Sequence, residues 1–253
     1  MEKVRYGIIG IGNMGSSHSK KLLKGEIENG VLTAICDLKP AKLEAVKALE
    51  GAEGVATFAD YKEMFASGLC DAVIVAVPHY SHPPISIDAM HAGLHVICEK
   101  PAGVYTKQVK EMNEVAKSSK SLFTMMFNQR TNCVYRKMRE MVASGELGEI
   151  KRINWIITSW YRSQSYYDSG DWRATWRGEG GGVLLNQCPH QLDLIQWVVG
   201  KPIGKFGANG ADAFGRSVPP SGQCRAGSAR SINAGKGEAL VQRRRQLRGL
   251  AKT

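Results

Sequence analysis

The chain has 253 residues, room for one large domain or two smaller ones with a sizeable core. Its net charge of +11 is concentrated in 205–253, with ten Lys/Arg and two Asp/Glu; the other 204 residues hold 24 basic and 21 acidic side chains and suggest no polyanion partner, nucleic acid included. No run reaches the roughly 18 apolar residues of a membrane helix, Met1-Glu2-Lys3 leads straight into an apolar stretch instead of a signal peptide, and six scattered cysteines without a C-x-x-C pair read as reduced thiols, so a cytoplasmic protein without a metal site or disulfide frame is expected.

Apolar runs over 4–9, 31–36, 54–58, 71–77, 94–98 and 121–127 read as strands, with helical patterns between them at 13–24, 40–50, 60–67, 83–92 and 106–119. Short strands alternating with helices of this length predict a doubly wound parallel α/β sheet. Residues 71–77 are apolar on both faces after Asp71, as in a central strand covered by helices. Gly10-Ile11-Gly12-Asn13-Met14-Gly15 joins the first strand to the first helix, the context that makes G-x-G-x-x-G a dinucleotide fingerprint. Gly10 permits the tight turn, Gly12 the approach of a diphosphate, and Gly15 close helix–strand packing, while the free N–H groups and dipole of the helix start face the phosphates. Asp37 ends the second strand, where it would accept hydrogen bonds from ribose hydroxyls and repel a 2′-phosphate, favouring NAD over NADP. A solvated turn residue is the alternative, and Lys39 nearby weakens the exclusion of NADP.

Two further loops follow strands at the carboxyl edge, where open parallel sheets bind ligands. Val77-Pro78-His79-Tyr80-Ser81-His82 follows the fourth; His79 and His82 could touch the nicotinamide ribose or substrate, or be ordinary loop histidines. Glu99-Lys100-Pro101 follows the fifth. Pro101 keeps Lys100 out of helical geometry, and a lysine there could hydrogen-bond a substrate hydroxyl and stabilise alkoxide character. A surface turn with a solvated lysine is the plainer alternative.

From about residue 131 the pattern changes to a helix over 131–145, a long strand over 149–160, and a polar, aromatic loop over 161–179. Gly180-Gly181-Gly182 then precedes a helix that runs to about Val199 and stops at Gly200-Lys201-Pro202. All five tryptophans (155, 160, 172, 176 and 197) fall in this region, which suggests a separate domain with an aromatic cleft and Trp197 in its core. On a continuous helix Asn186, His190 and Asp193 share one face, and His190 suits proton acceptance from an alcohol near neutral pH. An N-cap role for Asn186 and a first-turn acid role for Asp193 are the alternatives. Beyond 204, Val, Ile, Leu and Phe fall to eight of 49 residues, so a poorly ordered tail is expected, with only 238–250 hinting at a basic amphipathic helix.

Together these pieces resemble the glucose–fructose oxidoreductase, inositol dehydrogenase and rhizopine-catabolism group (Gfo/Idh/MocA). The resemblance covers about 1–204 and rests on the glycine turn with His18 behind it, Asp37, Pro78 to His82, Glu99-Lys100-Pro101, Gly145-Glu146-Leu147-Gly148, and Gly180-Gly181-Gly182 with His190 and Asp193. It implies a Rossmann domain over 1–122, a partial, incomplete α+β domain over 123–204 for substrate and dimerisation, and an atypical tail over 205–253. It implies hydride transfer between NAD(P) and a secondary hydroxyl of a sugar, anhydrosugar or cyclitol, with homo-oligomers usual among relatives. Lys100 and His190 would be the catalytic residues. Asn186, Asp193, Tyr166, Trp172 and Arg173 would surround substrate. Gly10, Ile11, Gly12, Asn13, Met14, Gly15, Asp37, Val77, Pro78, His79, His82, Glu99 and Lys100 would surround the cofactor, NAD with NADP still open.

Two features depart from the family. Asn186 stands where many inositol-dehydrogenase-like members carry an aspartate, which makes a sugar or anhydrosugar as fitting a substrate as inositol. The strands with which members continue are absent from 205–253, and the abrupt change in charge suggests out-of-frame or otherwise replaced sequence there. The second functional reading is a nucleotide-binding protein without catalysis, either an NAD-sensing regulator or an inactive family member.

Overall fold

The computed structural model describes residues 2–158, 161–170 and 172–200. Two units emerge: Met1–Met126 with Asp168–Asn186, and Phe127–Tyr167 with the chain from Gln187 onward. The expectations for 205–253, and for Trp160, lie outside the described residues.

The first unit alternates strand and helix through its length: β1 (Val4–Ile9), α1 (Asn13–Leu23), β2 (Gly30–Cys36), α2 (Pro40–Lys47), β3 (Ala56–Phe58), α3 (Tyr61–Ala66), β4 (Ala72–Val75), α4 (His82–His91), β5 (His95–Cys98), α5 (Thr106–Ser118) and β6 (Phe123–Met125). The strands form one sheet in the order β3-β2-β1-β4-β5-β6, and every pairing is parallel. This is the doubly wound order, with its switch point between β1 and β4. Alternate residues enter opposite cores. Ile8, Ile35 and Ile74 pack with Leu22 of α1 and Leu43 and Val46 of α2 on one face. Ile9, Cys36, Val75 and Cys98 pack with Met64, Met90 and Met112 of α3, α4 and α5 on the other. β4 is buried at all four positions, as its two-sided apolar pattern requires.

The second unit begins with a 3-10 turn at Asn128–Thr131 and α6 (Cys133–Ala143), capped by the Asn132 side chain accepting from the Val134 N–H. Short helices follow: α7 (Gln164–Asp168), then α8 (Trp176–Glu179) and α9 (Val183–Asn186) within the segment that returns to the first unit, and finally α10 (Pro189–Val199). Residues 149–158 pair with no strand among the described residues, so the strand expected over 149–160 is not seen there. Its period-2 apolar pattern needs a ladder partner to become a strand, and Ile156 is 69% exposed.

The helix expected after the triple glycine also differs. It is interrupted: α9 ends at Asn186, Cys188 is the N-cap of α10, and Pro189 occupies its first turn. Proline lacks the N–H for an intrahelical bond and disfavours helical backbone in the residue before it. Asn186 therefore does not share a helical face with His190 and Asp193. Trp172 and Trp176 belong to the returning segment, whereas Trp155 and Trp197 lie in the second unit.

Candidate cofactor and active site

At the switch point, Gly10 has φ +89°, and a Cβ there would lie 2.6 Å from the Ala76 carbonyl oxygen. A Cβ on Gly15 would lie 1.9 Å from the Gly10 carbonyl oxygen, so only glycine lets α1 sit against the turn. Gly12 is the N-cap of α1 without a side-chain cap, and a Cβ there would meet nothing within 4 Å. That open space in front of a helix start is the shape a diphosphate needs. Ile11 is buried, while Asn13 and Met14 are exposed.

Asp37 stands beside this turn, its side chain 9% exposed. Its carboxylate accepts the Ile11 N–H at 2.7 Å, the Lys39 N–H at 2.9 Å and the Lys42 ammonium at 3.3 Å. The residue expected to hold a ribose thus also braces the glycine turn.

The loop after β4 carries Val77, Pro78 and a 3-10 turn at His79–Ser81. His79 is 4% exposed; its Nδ1 lies 2.9 Å from the Glu179 carbonyl oxygen and its ring packs edge-on to Trp172 at 5.2 Å. Burial pushes its pKa down to about 4, and the positive charges of Lys100 and Arg173 push the same way. His82 is 1% exposed, with Nδ1 2.6 Å from the Pro101 carbonyl and Nε2 2.8 Å from the Val77 carbonyl. Burial lowers its pKa and the two carbonyls oppose that shift. His82 thus ties the loop after β4 to the loop after β5. The sequence suggests contact with ribose or substrate for both histidines; one ring nitrogen of His79 and both of His82 lie against protein carbonyls.

After β5, Glu99 is 6% exposed and pairs with His18 of α1, Oε1 to Nε2 at 2.9 Å. Its other oxygen accepts the Lys100 N–H at 3.3 Å. The Lys100–Pro101 peptide is cis. The Lys100 ammonium donates to the Asn186 main-chain carbonyl at 2.9 Å. Asn186, 5% exposed, donates its side-chain amide to the buried Glu179 carboxylate at 2.5 Å. Arg173 lies over the Trp172 ring at 4.7 Å. Glu179 and His18 are polar groups whose partners no local spacing reveals; the one cue for Glu179 is its place directly before the triple glycine.

In the second unit, Arg130 makes a bidentate bond to Asp193, at 2.8 and 2.5 Å, and lies 5.8 Å from both the Phe127 and Trp197 rings. Asp193, expected to bind substrate hydroxyls, thus has both oxygens on a guanidinium. His190 packs edge-on to Phe127 at 6.1 Å. Arg162 stacks on Tyr166 at 4.5 Å, and both bond to Gln187.

Among the described residues no group of His, Cys, Asp or Glu could hold a metal ion, and no helix is long and apolar enough to cross a membrane. The described cysteines are free.

Residues 4–127 match the family model described as oxidoreductase family, NAD-binding Rossmann fold, and residues 135–225 match the GFO/IDH/MocA C-terminal domain. The chain belongs to the GFO/IDH/MocA oxidoreductase family. Residues 4–127 therefore carry the family's NAD-binding Rossmann fold, and the C-terminal match continues past residue 204. The chain is 27% identical to an inositol 2-dehydrogenase of Corynebacterium glutamicum, covering 80% of this chain and 56% of the relative. It is 29% identical to the D-glucoside 3-dehydrogenase of Escherichia coli, again covering 80% and 56%. The crystal structure of the WlbA dehydrogenase from Bordetella pertussis in complex with NADH and UDP-GlcNAcA superposes with a TM-score of 0.68 at 28% identity, covering 79% of this chain and 59% of that one. The chain spans a little over half the length of these family members.

Proposed function

We propose that this protein is an NAD-dependent oxidoreductase that moves a hydride between the nicotinamide and a secondary hydroxyl of a sugar, anhydrosugar or cyclitol. The observation that carries this reading is the placement of Lys100. Its ammonium leaves the carboxyl end of β5 in the same sheet whose β1–α1 turn has the open space at Gly12, and it donates to the Asn186 main-chain carbonyl at 2.9 Å. Backbone amides around Gly12, Asn13 and Met14 would receive the diphosphate and Asp37 the ribose. Bound NAD supplies the hydride acceptor. Lys100 donates a hydrogen bond to the reacting oxygen and favours its alkoxide character. His190 is assigned the hydroxyl proton, and Asp193, Tyr166, Trp172 and Arg173 the remaining substrate contacts. The likeness to an inositol 2-dehydrogenase and a D-glucoside 3-dehydrogenase supports the substrate class.

The test is an NADH fluorescence titration combined with NAD-dependent oxidation assays on a panel of sugars and cyclitols. Saturable binding with turnover on at least one polyol is expected. Binding without turnover on any substrate would favour a nucleotide-binding role, and no binding would overturn the reading.

A further inference from the structure

We propose that Glu179 is a positioning residue for Lys100 and acts through Asn186, an inference that rests on the role given to Lys100 above. A lysine ammonium on a flexible four-carbon stem has no fixed direction of its own. Here it donates to the main-chain carbonyl of Asn186 at 2.9 Å. That carbonyl ends the one-turn helix α9, too short to be rigid alone. What anchors it is the Asn186 side chain, whose amide donates to the Glu179 carboxylate at 2.5 Å.

Glu179 is itself fixed from several sides. It ends α8, where Gly180 turns the chain with φ +74°, and the space beside Gly180 is filled by Val104. Its main-chain carbonyl meets His79 Nδ1 at 2.9 Å. Glu179 is 7% exposed and belongs to neither apolar core cluster. Burial raises its pKa, whereas Arg173, Lys100 and its hydrogen bonds oppose that shift. A buried carboxyl without such donors would be costly. The arrangement therefore runs Glu179 carboxylate, Asn186 amide, Asn186 carbonyl, Lys100 ammonium.

The experiment is competitive acetylation of the full chain with limiting acetic anhydride, read lysine by lysine by mass spectrometry. Glu179→Ala and Asn186→Ala break the same bond from opposite ends. Each is expected to raise the labelling of Lys100, relative to the surface lysines, by about fivefold, the loss of one hydrogen bond's restraint. Glu179→Gln keeps an oxygen for the Asn186 amide and should show less than half of that rise. The inference fails if Lys100 labelling is unchanged in Asn186→Ala or in a folded Glu179→Ala, or if Glu179→Gln is as labile as Glu179→Ala. The readout needs neither NAD nor substrate. It is thus separate from the oxidoreductase reading, whose failure would show as absent NADH binding or turnover.

Discussion

The Asp37 carboxylate accepts the Ile11 N–H at 2.7 Å across 26 residues of sequence, joining the end of β2 to the glycine turn after β1. One side chain thereby couples the shape of the diphosphate cradle to the residue proposed for ribose recognition. Asp37→Ala should raise the Kd for NADH about tenfold or more and lower stability by about 1–2 kcal/mol, because the Ile11 N–H loses its acceptor. Fluorescence titration and urea melts check both. A stability loss with unchanged Kd would leave Asp37 as a brace for the turn only.

Gly12 and Gly15 separate binding from folding. A methyl at Gly12 enters open space, so Gly12→Ala should cost stability less than about 1 kcal/mol, within the range for an N-cap change. It should still weaken NADH binding by at least about tenfold, since the methyl occupies the diphosphate's approach. Gly15→Ala puts its methyl against main chain and should destabilise by roughly 2 kcal/mol or more. Equal thermal shifts in the two variants would contradict this division.

His79 makes stability depend on acid. Its folded-state pKa is pushed down to about 4, below the roughly 6.5 of an unfolded chain. Between those values the unfolded state binds the extra proton, so stability falls as pH drops from about 6.5 to 4 and is level above. The contribution lost is on the order of 3 kcal/mol. His82 acts in the same direction, and the raised Glu179 carboxyl against it. The comparison is therefore between the wild type and His79→Gln, melted in urea at pH 7 and pH 4.5. The variant should lose less stability over that interval; parallel losses would remove His79 as the cause.

Lys100→Ala should cut turnover by about two orders of magnitude or more while NADH affinity stays nearly intact. Steady-state rates on any substrate found in the panel, with a parallel NADH titration, decide it. Comparable turnover in the variant would remove Lys100 from the chemistry.

The Arg130–Asp193 bond predicts a structural cost distinct from catalysis. Asp193 is 11% exposed in its side chain, and its partner also packs on Phe127 and Trp197. Arg130→Ala should destabilise the protein by roughly 1–3 kcal/mol, as it leaves a carboxylate short of its donors. Asp193→Asn, which keeps one acceptor oxygen, should cost less. A calorimetric scan of both variants tests the order, and an equal or reversed order would show that the pair contributes little.

Much of the first unit was legible in residue order alone. Period and run length mark the six strands, and two-sided apolar character places 71–77 at the sheet centre, because hydrophobic burial acts on each residue locally. The glycine spacing likewise marks the turn before α1, since backbone sterics at Gly10 and Gly15 belong to the local chain and its nearest strand. The tertiary structure alone decided which polar groups meet. It brought His79 and His82 to main-chain carbonyls, set His18 against Glu99, and joined Glu179 to Asn186 and Asn186 to Lys100. Hydrogen bonds are short-ranged and directional, and their partners here lie as much as 100 residues apart. Such meetings exist only once the chain has folded around them.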